Sequence, residues 1–237
     1  MIALIDSGAG GVNVLSKCAK LFPYDYILLV DNKNAPYGNK TKKQLYKITK
    51  NNIDYLIINY KISAIIFACN TLSFTIYEKI KKEYNIPILK MQFNEKEINK
   101  LPRDILFFGT KNTIKNNKKI IEKNNWKPLY ITSLPTLIDN NITNLEKIKP
   151  LIIKNAIKYN NIKTIVLSCT HFSIIKKQLK DIFKGVIFYE YEQNVAQNLQ
   201  NLLKPKNYRT MKIILTKKDH KKYVELKSLL AKLTNSH

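Results

Sequence analysis

Two cysteines in matching contexts carry the chemistry of this sequence. Cys69 follows the apolar run Ala64-Ile65-Ile66-Phe67-Ala68 and precedes Asn70-Thr71; Cys169 follows Thr164-Ile165-Val166-Leu167-Ser168 and precedes Thr170-His171. Each run is short and rich in β-branched residues, as in a buried strand, so each thiol sits where a strand gives way to a loop. Ligands of open parallel α/β sheets bind at that carboxyl end. Two thiols facing one small substrate suit proton transfer on both faces of a carbon, which inverts a stereocentre without redox chemistry. The thiolate is the competent base, and its pKa responds to its neighbours.

Each thiol has a candidate helper. Asp6 ends the first apolar run, and His171 lies two residues after Cys169. Asp6 also has the option of capping the helix that follows it. Ser7, Asn70, Thr71, Thr110, Thr113 and Thr170 place donors at strand ends, where helix N-termini add N–H groups, a combination suited to a carboxylate ligand. Gly8, Gly10 and Gly11 permit close backbone approach, but they do not form GxGxxG, and no P-loop pattern occurs. Cys18 falls on the apolar stripe of a helix and reads as core, while His220 and His237 read as solvated. Three scattered cysteines without a CxxC pair make neither a disulfide framework nor a zinc site, so no metal is expected, and free thiols fit a reducing cytoplasm.

These residues need a scaffold, and the rest of the chain supplies one as alternating strands and helices. Strands are expected at 2–5, 26–30, 64–68, 86–89, 105–108, 129–132, 164–168, 186–189 and 211–215. Helices are expected between them, notably at 73–83, 112–124, 143–159, 173–183, 192–203 and 219–233, with Thr41 capping a long one. The residues around 91–103 read as a polar lapse, and those near Pro135 and Asp139 as a loop. This alternation predicts an α/β fold with parallel sheets covered on both faces. Aligning Cys69 with Cys169 also matches Ser73 with Ser173 and the two apolar runs with each other, which points to an internal duplication. The expected architecture is two pseudo-symmetric doubly wound domains, 1–92 plus 205–237 and 93–204, with the site in the cleft between them.

The chain has 237 residues, 45% hydrophobic and 24% charged, ordinary for a globular protein. No apolar stretch approaches the roughly 18 residues of a membrane span, and no secretory signal is expected. The outlier is a net charge of +24, from 41 basic and 17 acidic residues. A basic surface attracts nucleic acid. Here the lysines are spread along the chain and arginine occurs only at positions 103 and 209, whereas specific base readers favour arginine. The composition instead reads as a Lys-, Asn- and Ile-heavy bias, and no specific nucleic acid is expected as partner.

Taken together, Asp6-Ser7-Gly8-Ala9-Gly10-Gly11, Pro36-Tyr37-Gly38, Ala68-Cys69-Asn70-Thr71, Gly109-Thr110 with Thr113, and Cys169-Thr170-His171 resemble glutamate racemase, of the aspartate/glutamate racemase superfamily. The resemblance runs in order over most of the chain. It implies two α/β domains with an interdomain active site, no pyridoxal phosphate, and a homodimer. It implies that Cys69 deprotonates D-glutamate and Cys169 L-glutamate, with Asp6 and His171 as their respective helpers. Ser7, Pro36, Tyr37, Gly38, Asn70, Thr71, Thr113 and Thr170 are implied to position the substrate, and the D-glutamate product to feed peptidoglycan synthesis. Aspartate or broad acidic amino-acid racemisation is the nearest alternative; an anion- or nucleic-acid-binding protein on this scaffold is the other. Three stretches depart from the family pattern: Lys90-Met91-Gln92-Phe93-Asn94, Asp139 where a glutamate is common, and Phe172-Ser173 where Tyr-Pro is usual.

Overall fold

The apolar runs become the centres of two parallel sheets. In a computed structural model that describes residues 1–159, 161–206 and 209–235, β1 (Ile2–Asp6), β2 (Tyr26–Val30) and β3 (Ala64–Phe67) are buried along their whole length. With β4 (Ile88–Lys90) and β9 (Met211–Leu215) they form a sheet of order β4-β3-β1-β2-β9. The second sheet, of order β6-β5-β7-β8, contains β5 (Ile105–Gly109), β6 (Lys127–Leu129), β7 (Thr164–Ser168) and β8 (Ile187–Tyr189). Every pairing is parallel. Read outward from β1 and β5, the two sheets have one order, as the duplication predicts, and β9 is an addition that pairs with β2, Leu28 opposite Ile213.

The helices in chain order are α1 (Gly10–Leu21), α2 (Lys42–Asn59), α3 (Asn70–Thr75), α4 (Tyr77–Ile80), α5 (Glu95–Ile98), α6 (Lys111–Asn116), α7 (Lys118–Lys123), α8 (Leu134–Asn140), α9 (Lys149–Ala156), α10 (Thr170–Ile174), α11 (Lys176–Ile182), α12 (Glu192–Gln200) and α13 (His220–Asn235). Thr41 caps α2 in a reciprocal capping box with Gln44. The apolar face of α1 packs between the sheets, against α10, α12 and α13, so one core runs through both units. Separate cores cover the outer face of each sheet.

Several expectations from the sequence need correction. The strand expected at 129–132 is β6, Lys127–Leu129; the chain then leaves the sheet, which carries Ile131 and Thr132 to the cleft. The loop expected at Asp139 is α8, with Pro135 in its first turn, where a missing N–H leaves no bond unmade. The expected helices at 73–83, 112–124 and 173–183 are each broken once, at Ile76, Asn117 and Ile175, whose backbones turn to ψ near zero. The expected helix at 143–159 begins as a tighter turn, Leu145–Ile148, before α9. His237 lies outside the described residues.

The polar lapse at 91–103 also conceals structure. Met91, Phe93 and Ile98 are buried, and α5 lies within it. Phe93 meets Phe74 of α3, Phe107 of β5, Trp126 and Tyr191, at 5.6, 5.4, 6.1 and 5.8 Å between ring centroids. Such pairs contribute about 0.5–1.5 kcal/mol each beyond their buried area. The departure at Lys90–Asn94 therefore joins the two sheets.

Candidate active site

Cys69 and Cys169 occupy equivalent places. Each is the extended residue between a central strand and a short helix: Cys69 precedes α3 and Cys169 precedes α10. Both are nearly buried, 7% and 5% exposed, and both line one cavity. Ser7, Asn70, Thr71, Thr170 and His171 line it too, as do Pro36, Tyr37 and Gly38 from the loop after β2. The cavity volume is about 20 Å³, room for about one water molecule.

Two predicted residues stand behind the wall rather than in it. Thr113 Oγ1 is 2.9 Å from Thr110 Oγ1, which is 3.0 Å from Thr71 Oγ1, so a line of hydroxyls crosses from the second unit to the first. Asp6 is fully buried. Its Oδ1 accepts from the Gly8 N–H at 3.1 Å and its Oδ2 from Thr170 Oγ1 at 3.1 Å. Asp6 does not cap α1; the N–H of Ala9, the residue before α1, donates to Asp139 Oδ1 at 2.8 Å. The Tyr37 hydroxyl donates to buried Asp31 at 2.6 Å, and burial and then Asp31 hold it well above the ordinary tyrosine range, so it stays a donor.

The two thiols differ in their surroundings. Burial, then the nearby Asp6 carboxyl, pushes Cys69 well above the usual thiol range, so it rests as the protonated acid. Cys169 Sγ is 3.9 Å from His171 Nδ1. Burial works against a charged His171, yet the Asp139 carboxylate overcomes it and holds the imidazole well above its ordinary range. Nε2 of His171 lies 3.3 Å from Asp139 Oδ2, an ion-pair contact.

Burial also raises Asp6 from 3.8 to about 6, against the lowering influence of His171. A carboxyl raised on folding contributes stability below its unfolded pKa, and that contribution is lost as pH rises through the folded value. That rise corresponds to about 3 kcal/mol. Asp6→Asn should therefore unfold at higher urea than the parent at about pH 8 and show no such gain at about pH 4. An equal difference at both pH values would mean that Asp6 ionises like an ordinary carboxylate.

Three residues of the site carry no sequence signal that marks them for it. In the sequence Asp139 is a loop residue and a departure from the family pattern; Lys222 belongs to α13, and its Nζ lies 3.3 Å from Asp139 Oδ1. Tyr191, buried after β8, accepts from Ser168 Oγ at 2.7 Å and donates to Asn70 Oδ1 at 3.1 Å. No local motif marks any of them; their partners are far away in the chain. Among the described residues, no group of three or more His, Cys, Asp or Glu is placed to hold a metal ion. No described helix is long and apolar enough to cross a membrane.

No family model matches the sequence. The glutamate racemase of Clostridium botulinum (strain Okra, type B1) is 31% identical over 218 residues, covering 87% of this chain and 84% of that protein. Escherichia coli glutamate racemase, solved with L-glutamate and the activator UDP-MurNAc-ala, superposes with a TM-score of 0.85 at 18% identity, over 98% of this chain and 94% of that one. Glutamate racemase of Francisella tularensis, solved with D-glutamate, gives 0.80 at 21% identity, over 100% of this chain and 94% of the other. The structural likeness establishes the shared fold, and the sequence identity over most of both chains establishes the kinship: this protein belongs to the glutamate racemase family and is an amino-acid racemase.

Proposed function

We propose that the protein interconverts L- and D-glutamate without a cofactor, by proton transfer at Cα between two thiols. The observation that carries this reading is the pairing itself. Cys69 and Cys169 end equivalent strands, β3 and β7, and line one cavity, each with its own titratable neighbour. In the L-to-D direction the Cys169 thiolate takes the Cα proton while the Cys69 thiol delivers its own to the opposite face. The products are D-glutamate, a Cys169 thiol and a Cys69 thiolate, so protons balance and no electron leaves the substrate. The protonated resting state of Cys69 suits this direction. Ser7, Asn70, Thr71 and Thr170 are the donors for the carboxylate, whose charge grows as Cα is deprotonated. Thr113 acts through Thr110, and the Pro36-Tyr37-Gly38 loop forms the wall held by Asp31.

Glutamate as substrate is supported by the complexes of the E. coli and Francisella relatives, which hold L- and D-glutamate. A cavity of about 20 Å³ is smaller than an amino acid, so binding requires its walls to move apart. The domain limits we propose are 1–92 plus 205–237 and 93–204; the return of β9 to β2 supports the first. A homodimer, a cytoplasmic location and supply of D-glutamate for peptidoglycan follow from the family resemblance. The three free cysteines suit a reducing compartment.

The test is a chiral assay in heavy water with L-glutamate and L-aspartate. The expected result is D-glutamate carrying deuterium at Cα. Racemised aspartate beside unchanged glutamate would reassign the substrate. Inertness toward both, with salt-sensitive binding to DNA, would favour the binding-protein alternative.

A further inference from the structure

A line of charged groups runs from the C-terminal helix to one of the two sulfurs. Lys222 lies in the first turn of α13, and its side chain is 13% exposed. Its Nζ donates to the backbone oxygen of Asp139 at 2.6 Å and lies 3.3 Å from Oδ1 of the same residue. That Oδ1 also accepts from the Ala9 N–H, while Oδ2 faces His171 Nε2 at 3.3 Å. The far nitrogen of the same ring, Nδ1, is 3.9 Å from Cys169 Sγ. One carboxylate thus serves two cations, only one of which neighbours a reacting atom. Lys222 does not line the cavity.

We propose that Lys222 is a positioning residue: it divides the Asp139 carboxylate between itself and His171, and so limits how tightly the His171 ring holds the proton it exchanges with Cys169. This rests on the reading of Cys169 as a proton-transfer residue. The groups around His171 are Asp139 from α8, Cys169 from its own loop, Asp6 from β1 and, through Asp139, Lys222 from α13. All three acids in that cluster, Asp139, Cys169 and Asp6, favour the imidazolium. A ring facing Asp139 with no competing cation would keep its proton too firmly to return it. Burial opposes the Asp139 charge, while His171 and Lys222 together hold the carboxyl below its usual range. Losing one cation places the whole demand on the other. Gly8 marks how tightly the group is closed, because a Cβ there would lie 2.1 Å from Asp139 Oδ2 and 2.6 Å from His171 Nε2.

The experiment compares Lys222→Gln, Lys222→Met and Lys222→Arg in the full chain. Glutamine keeps the bond to the Asp139 backbone without the charge, methionine keeps neither, and arginine keeps the charge. The sequence holds three histidines, so the titration of His171 is resolvable by NMR. Both uncharged variants should raise the His171 pKa by about one unit, a tenfold tighter hold on the proton, and arginine should leave it near the parent value. The alkaline limb of the kcat profile should move up with it, with KM unchanged. An unchanged or lowered His171 titration in either folded uncharged variant would overturn the proposal. So would an arginine variant that behaves like glutamine. The NMR readout needs no turnover: a parent chain that fails to racemise glutamate would sink the proposed function, while the titration shift would still decide the role of Lys222.

Discussion

Cys69→Ala and Cys169→Ala should each lower racemisation by about 10³-fold, the scale of losing a positioned acid or base. Among the described residues that line the cavity, no other carries a thiol. Behind Cys69 stands Asp6, but its oxygens are engaged by the Gly8 N–H and Thr170 Oγ1, and it does not line the cavity. Beside Cys169, His171 is turned between the sulfur and Asp139. The variants should differ in what survives. On the proposed assignment, a chain keeping only Cys69 should still remove the proton of D-glutamate and put one back on the same face. A chain keeping only Cys169 should do so for L-glutamate. In heavy water each variant should thus exchange the α-hydrogen of one enantiomer without inverting it. Inversion at the parental rate by either variant, or exchange of both enantiomers by one, would be incompatible with two opposed thiols. Both sites are small and nearly buried, so removing a sulfur should leave the fold intact, and a thermal melt checks this.

Gly10→Ala should cost about 1–3 kcal/mol of stability and about 100-fold in kcat. Gly10 opens α1 against the start of α10, and an added Cβ would lie 2.2 Å from Thr170 Oγ1 and 2.8 Å from the His171 backbone nitrogen. A side-chain hydroxyl can rotate away, but a backbone nitrogen moves only with its helix. Relief therefore requires α10 to withdraw from α1, taking Cys169 with it and breaking the Thr170–Asp6 hydrogen bond. The stability loss is read from urea unfolding and the kinetic loss from the chiral assay. A variant with the parental kcat would mean that the thiol positions tolerate such a shift.

The parallel strands were legible in the sequence because buried strands are apolar on both faces and stand out as short β-branched runs. The duplication was legible because it preserves Cys69, Ser73 and their counterparts Cys169 and Ser173 in register. The breaks at Ile76, Asn117 and Ile175 were not, since none is a Pro or Gly. Phe93 sits among polar residues and looks exposed until Phe107 and Trp126 are brought to it by the second sheet. Asp139 meets Ala9 across 130 positions, and Lys222 meets Asp139 across 83. One lysine among 41 basic residues has nothing local to distinguish it. Long-range charge pairing is the part of the site that a linear pattern does not carry.

The late pairing of β9 with β2 has a consequence for synthesis. While the chain emerges from the ribosome, β1 to β4 are available early, yet the outer edge of β2 stays open until Met211–Leu215 arrive. All four strands of the other sheet are made in between. A nascent chain therefore carries an unfinished sheet edge while its second half folds, and such an edge is a template for pairing with other chains. Stalled or prematurely terminated products ending before β9 would be released with that edge bare. For this molecule the codons of β9 decide when the outer edge of β2 is covered.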